Sequence, residues 1–542
     1  MLEVVLVKNP EQKRNIFLEK DHSQTSWIVS DLTSKLAFQK ELFKTQKVVA
    51  DESLLRAHEL WIKFIQRLRG DLKIISQETA HLFTKKLLQN SDEEWTQRPG
   101  VILLAHQYLQ ALMPILSHGD NFEAIKSFFQ KNPESFQKWG HWYLLCHKIY
   151  HAFLDEKMIL PVWASSILVN EVGFEVAWNK KLIFDLGAQM QPLESELIQH
   201  LAKFLDVTVL IPQPSFAKEH ARTLKSYEPF LKQIKKVDSD IKKDESSAQV
   251  VFNKYSTQLS EVQDLCSEVR RWIETERVNP EQIAVVAPDI GVYWPALYEY
   301  FKVEGIPYQR KVQTPIKACP EISHWISYLK VESGQVDFSN LQMSLYTPDV
   351  SDSSLKRFEQ FQAEFTNIYN IKDIERDSLL RSRFKFKKQD RDMSLAEFFQ
   401  WATAFWNPAW PQERLEKLIE RVYADVPNQI FATAEDWIEL IEKVSARIEI
   451  TLDGGIVSGV HCVDLISLKD LDVTHAVLLG LTDQALRPSS SVLISEKDIF
   501  QLRQDLGYVI AETERTDLEF DVLWNLENKK KNYMLCYPQT DF

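Results

Sequence analysis

The sequence predicts an α/β protein built from two α/β domains, each interrupted by a large helical insertion. Three observations carry this. Short apolar runs that read as buried strands cluster in two groups, residues 1–48 with 165–216, and 250–319 with 449–542. Between the members of each group lie long stretches, 49–164 and 320–448, whose apolar residues recur at three- and four-residue spacing. At 542 residues the chain is too long for one core and accommodates several packing units.

The first group opens with Leu2 to Val7 as a strand, SWIVS (Ser26 to Ser30) as a second, and a helical spacing from Asp31 to Phe43. The helical insertion comes next, with Trp61, Phe64, Ile65 and Leu68 on one stripe and Leu109, Leu112, Met113 and Leu116 on another. LIFDL (Leu182 to Leu186) restores strand character. Pro192 then opens a helix, since proline is favoured in the first turn, and VTVLIP (Val207 to Pro212) completes a strand–helix–strand unit. Residues 217–249 are rich in Lys and Asp and read as a linker. The second group holds VVFNKY (Val250 to Tyr255), a helix from Gln258 to Thr275 and IAVVAP (Ile283 to Pro288). Beyond the second insertion come VHCVDLISL (Val460 to Leu468), HAVLLGL (His475 to Leu481) and YMLCYP (Tyr533 to Pro538).

Composition excludes several classes. Hydrophobic residues at 44% and charged residues at 26% are ordinary for a globular chain, and 14 glycines with 21 prolines exclude a collagen-like one. No apolar run reaches the length of a membrane span, so no membrane partner and a cytoplasmic location are expected. Cys146, Cys266, Cys319, Cys462 and Cys536 lie far apart and form neither a disulfide framework nor a CxxC metal motif. The net charge of −13 argues against coating nucleic acid by bulk charge but leaves room for a local basic channel.

The order of segments resembles the superfamily 1 helicases of the UvrD type, and more closely the degenerate helicase-like part of the AddB/RexB subunits of bacterial helicase–nucleases. Three stretches carry the resemblance: residues 182–212, 283–308 and 459–488. SLYTPDV (Ser344 to Val350) is similar to a turn in the second insertion of AddB-like proteins. In the first stretch, Asp185 stands where the first Mg²⁺ carboxylate would be and Gln189 near the motif glutamine. In the last, Lys469, Leu471, Gly480, Leu481 and Pro488 stand at motif positions. The resemblance implies two RecA-like domains of the P-loop NTPase type, DNA (an end or a single strand) as a ligand, and an AddA-like helicase subunit as a partner. It also implies a nuclease domain of the PD-(D/E)xK type after Phe542, so the chain is expected to be the front of a longer exodeoxyribonuclease subunit.

The motor chemistry is missing. A phosphate cradle needs glycines whose N–H groups approach the phosphates, a lysine, and a hydroxyl for Mg²⁺. After the first strand stands KNPEQKRN (Lys8 to Asn15), without a glycine, and Pro10 removes a donor. Lys13 is the one echo and reads as a solvated charge. Leu186 comes after Asp185 where the catalytic glutamate belongs, Phe520 takes the earlier arginine position and Asn528 the arginine-finger position. Loss of that arginine removes about 10³- to 10⁵-fold in rate. Lys13, Asp185, Gln189 and Asn528 are therefore degenerate positions, and no catalytic residue, cofactor or metal is expected. The His147 and His151 pair has the i, i+4 spacing of a metal site but no carboxylate in pattern, and ordinary helix packing is the competing reading.

The DNA contact expected from the residues is RSRFKFKK, with Arg381, Arg383, Lys385, Lys387 and Lys388 alternating with Phe384 and Phe386. Basic groups neutralise phosphates and aromatic rings stack on bases. An amphipathic hairpin explains the same alternation. Asp31, Thr33 and Lys35 sit where active relatives contact a single strand, and Arg270 with Arg271 read as a solvated helix face. Three functions compete: a non-motor scaffold binding DNA and a partner helicase, a protein-interaction module without DNA affinity, and the front part of a nuclease subunit whose catalytic domain lies beyond Phe542. Replacing Arg381, Arg383, Lys385 and Lys387 together with Glu is expected to weaken duplex-end binding at least several-fold at low salt. Unchanged affinity in a fluorescence titration removes this segment as a contact.

Overall fold

The structure is a computed structural model. It describes residues 1–45, 51–89, 94–98, 100–117, 122–187, 190–214, 227–232, 249–309, 311–345, 391–454, 459–486, 493–506, 518–527 and 532–540.

The first sheet has five strands: β1 (Leu2–Val7), β2 (Thr25–Val29), β3 (Leu54–Arg56), β4 (Lys181–Asp185) and β5 (Val207–Pro212). Their order is β1-β5-β4-β2-β3, and every pairing is parallel. Helices cover such a sheet on both faces, so its central strands are apolar throughout rather than alternating. Trp27, Ile28 and Val29 are all fully buried, as are Leu182, Ile183 and Phe184. The expectation of an all-helical stretch from residue 49 misses β3. Three residues are too few to give a period, and Leu54–Arg56 is a strand only because it pairs with Trp27–Val29.

The second sheet has six strands: β6 (Gln249–Thr257), β7 (Ile283–Ala287), β8 (Tyr308–Gln309), β9 (Val460–Asp464), β10 (His475–Leu478) and β11 (Asn532–Thr540). The order is β8-β9-β7-β10-β11-β6, again wholly parallel. The run VHCVDLISL divides: its last four residues turn into a 3-10 helix, Leu465–Asp470. The helix Gln258–Glu274 arises from local chemistry. Thr257 caps it, accepting from the Ser260 N–H at 3.2 Å, and Val262, Leu265, Val269 and Trp272 form its buried stripe.

The first insertion comprises the helices Ala57–Leu68, Gln77–Gln89, Val101–Leu116, Phe122–Lys131 and His141–Asp155. It shares one continuous hydrophobic core with the first sheet. The second insertion leaves the second sheet through an antiparallel ribbon, Lys311–Pro315 against Glu449–Gly454, and has its own core around Trp325, Phe398, Leu418 and Trp437. Of the expected linker 217–249, residues 227–232 and 249 are described, and Tyr227 is fully buried.

Two helices cross the expected division. Ile494 and Leu502, with helix Glu496–Leu506, and Phe520 and Trp524, from helix Leu518–Leu526, belong to the core of the first half although they lie among the strands of the second. Asp498 fixes the first of these helices. It is buried and accepts from the Ser135 hydroxyl at 2.6 Å and from Trp139 Nε1 at 3.2 Å. Among the described residues, no helix is long and apolar enough to cross a membrane.

A buried carboxylate holds the second sheet to its helix. Glu261 is fully buried and accepts from the Gly480 N–H and from the Tyr293 hydroxyl, both at 2.9 Å. Gly480 has φ 66°, and a Cβ there would stand 2.6 Å from Tyr293 Oη, so two separate constraints require glycine. Burial pushes the Glu261 pKa up from 4.5 to about 6, against the lowering effect of its two hydrogen bonds. A raised pKa means that the folded state holds its proton longer than the unfolded chain. The associated stability is present below pH ~4.5 and is lost as pH rises through about 6. Relative to Glu261→Gln, the wild type is expected to lose about 2 kcal/mol between pH 4.5 and 7.5 in denaturant titrations. A pH-independent difference would show that this carboxyl titrates normally.

Candidate functional site, a closed cleft between the two sheets

Ligands of open parallel sheets bind beyond the carboxyl ends of the strands. In the first sheet those ends are Val7 of β1 and Asp185 of β4. Just beyond Val7 the chain enters a helix, Pro10–Leu18, started by an Asn9 cap that accepts from the Gln12 N–H at 2.8 Å and by Pro10 in the first turn. The glycine-free stretch Lys8 to Asn15 thus runs into this helix. Lys13 lies on it and points inward.

Lys13 Nζ is 3.3 Å from Asp185 Oδ2, and both side chains are only 7% exposed. Trp27 Nε1 donates to the same carboxylate at 3.4 Å, and the ammonium stands 5.5 Å from the centre of the Phe38 ring. The expectation that Lys13 is a solvated charge is overturned. Nearby apolar walls remove water from both groups, and their mutual attraction helps to offset that loss. Leu186, where a catalytic glutamate would stand, is buried in the core.

The second half supplies another lysine. Lys469, on the 3-10 helix after β9, is 6% exposed and lies 3.7 Å from Asp31 Oδ2. Asp31 also caps the helix Leu32–Thr45, accepting from the Ser34 N–H at 2.8 Å and the Ser34 hydroxyl at 2.7 Å. Burial pushes the Asp31 pKa up, but Lys469 and the Ser34 bonds outweigh it and hold the group below its ordinary value. Gly187 bends the chain beside this lysine with φ 58°, and its carbonyl accepts from the Tyr227 hydroxyl at 2.7 Å. Arg14 adds a second bridge between the halves, to Asp472 at 2.8 Å, while also meeting Glu41 at 3.0 Å.

The space left among Lys13, Asp185, Gly187, Lys469, Phe520 and Asp521 is about 10 Å³. That is near the minimum for one water molecule, and small-ligand sites are typically about 300–1,000 Å³. Phe520, at the earlier arginine position, is buried and stacks on Trp524 with the rings 15° apart. In this conformation a nucleoside triphosphate does not fit.

The other sequence candidates fall into two groups. Gln189, Asn528, Pro488, residues 346–350 of SLYTPDV, and Arg381, Arg383, Lys385, Lys387 and Lys388 lie outside the described residues. The remainder are placed. His147 and His151 face each other with Nε2 atoms 3.1 Å apart, and no group of three metal-ligating side chains occurs among the described residues. Lys35 pairs with Glu59 at 2.8 Å. Arg270 pairs with Glu274 and Glu304, and Arg271 with Glu268 and Glu276, a solvated face as expected. Sequence reasoning did not anticipate Trp27, Tyr227 or Asp521 at the cleft. A tryptophan in an apolar strand and a tyrosine in a polar stretch give no local signal of a shared destination.

The chain matches no protein-family model, and no curated protein is significantly similar to it.

Removing one partner of a buried ion pair strands the other charge, typically at about 3–5 kcal/mol. Lys13→Met and Asp185→Asn are each expected to lower unfolding free energy by about that amount, and the double variant by clearly less than the sum. Additive losses in chemical denaturation would show that the two charges are not coupled.

Proposed function

We propose that this chain is an inactive, helicase-like scaffold of the AddB type, which binds DNA and a partner motor subunit without hydrolysing ATP. The observation that carries the reading is the Lys13–Asp185 pair. The two residues that the resemblance assigns to a phosphate lysine and a magnesium carboxylate meet at the carboxyl ends of β1 and β4, at 3.3 Å. Lys469, assigned to the second motor half, lies against the same cavity. On this reading the two sheets are RecA-like domains, 49–164 and 320–448 are their insertions, and the place of the nucleotide is taken by internal ion pairs.

The contacts between the halves support a scaffold rather than a motor, since a motor has to open and close its cleft. Lys469 with Asp31 and Arg14 with Asp472 join the halves at the cleft. Asp498 ties the C-terminal part to the first insertion. The insertions bind each other through Lys85 and Lys86, both on Asp436, and through Lys73 Nζ donating to the Val426 carbonyl at 2.9 Å. Asp436 is held below the ordinary carboxylate range: burial raises its pKa, and Lys85 outweighs that.

The full chain is expected to show no magnesium-dependent ATP hydrolysis above background. Donor and acceptor dyes on the two halves are expected to report the same distance with and without a non-hydrolysable triphosphate. Turnover, or a nucleotide-dependent distance change, would refute the scaffold reading. Anisotropy titrations with a duplex end and a single strand at two salt concentrations test the DNA part, and no binding at low salt would favour the interaction module.

A further inference from the structure

The two helical insertions meet along a seam that is hollow on both sides of its central polar contact. That contact is Asp425, the last residue of helix Gln412–Asp425. It accepts from the Ser76 N–H, the Ser76 hydroxyl and the Thr79 hydroxyl, and so caps helix Gln77–Gln89 from across the seam. A cavity of about 560 Å³ lies on one side and one of about 460 Å³ on the other. Ser76, Arg421, Asp425 and Arg447 border both.

The two cavities differ in chemistry. The smaller has apolar walls from Ile75, Leu160 and Val162, with Gln77, Gln110 and His106 as polar points. His106 is buried. Its Nε2 is 2.9 Å from Thr84 Oγ1, and its Nδ1 has no hydrogen-bond partner. Burial, with a smaller effect from His81, pushes its pKa down to about 3, so the ring is neutral near pH 7. The larger cavity carries Lys417 and Arg421, exposed and one helical turn apart. Neither has a carboxylate within ion-pair distance among the described residues. The carboxylates of the seam are partly engaged: Asp425 by Ser76 and Thr79, and Glu78 by Arg447 at 2.5 Å. Glu420 also lines the larger cavity.

An apolar recess with amide and imidazole edges, bordered by Arg421 and Arg447, which also border the neighbouring cavity with Lys417 and Glu420, fits a heteroaromatic base joined to a phosphate. We propose that this seam is a nucleotide site. The base occupies the recess against Ile75, Leu160 and Val162, with Gln77, Gln110 and His106 at its edge. The phosphate sits at Lys417 and Arg421, with Arg447 between them and the base. A free mononucleotide and the terminal nucleotide of a single strand present the same chemistry. The site is separate from the closed cleft at Lys13 and holds for either source, so it does not depend on the helicase-like reading.

The test uses the full chain in EDTA, which removes magnesium-dependent binding. Deoxyadenosine monophosphate is titrated by calorimetry, and a fluorescent single-stranded decamer by anisotropy. Two variants are compared after circular dichroism has confirmed their fold: Lys417→Glu with Arg421→Glu, which reverses the phosphate end, and Val162→Trp, which fills the recess from a position 56% exposed. Each is expected to weaken binding at least tenfold. Binding of the mononucleotide alone supports a free ligand, and binding of the decamer alone, weakened by Val162→Trp, supports a strand end. The proposal is overturned if neither probe binds the wild type or if both variants bind like the wild type. It is also overturned if an acidic peptide competes with the decamer while Val162→Trp has no effect, which would mark a protein-binding surface. A decamer that binds but is unaffected by either variant would place DNA elsewhere and leave the scaffold reading intact.

Discussion

The Lys13–Asp185 ion pair is the constraint on which the centre of this protein depends. An ammonium and a carboxylate that are both nearly excluded from water each carry a desolvation penalty of several kcal/mol, and their mutual attraction offsets part of it. The helix directly after β1 carries Lys13 to the end of β4. The pair requires Trp27 on the neighbouring strand, whose Nε1 donates to the same carboxylate oxygen. It also requires that the cleft stay closed, since an open cleft would admit water and competing ions. The rest of the site is built around this closure: Leu186 packs in the core, Phe520 and Trp524 seal one wall, and Lys469 reaches across from the other half.

The same logic extends outward along the contact between the halves. At four points of attachment a buried or half-buried carboxylate from one part meets donors from another: Asp31 with Lys469, Asp498 with Ser135 and Trp139, Asp436 with Lys85 and Lys86, Asp425 with Ser76 and Thr79. Isolated exposed pairs contribute about 0–1 kcal/mol, but a carboxylate with several donors in a partly dry seam is directional and costly to break. Such contacts set the relative placement of the parts more than they add to total stability.

Much of the fold was legible in the sequence because a buried parallel strand and an amphipathic helix each leave a local pattern. Trp27–Val29, Leu182–Phe184, Ile283–Ala287 and His475–Leu478 are strands in the structure as their apolar runs suggest. Strand β3 was not legible, since Leu54–Arg56 acquires its identity from its partner strand. Nor was the crossing of Ile494, Leu502, Phe520 and Trp524 into the first core, because a helix's stripe shows that it packs but not on what.

The candidate site divides along the same line. By itself the sequence determined that Lys8 to Asn15 holds no glycine and that Pro10 opens the segment, a pattern that favours the helix found there. It also determined the two-part α/β layout, which local periodicity encodes. Only the tertiary structure decided what Lys13 meets. A lysine's charge is the same in any sequence, and whether it is solvated or paired depends on which groups lie within about 4 Å of it once the chain has folded. Lys13 and Asp185, far apart in sequence, become neighbours because parallel pairing brings the carboxyl ends of β1, β5 and β4 to one edge of the sheet.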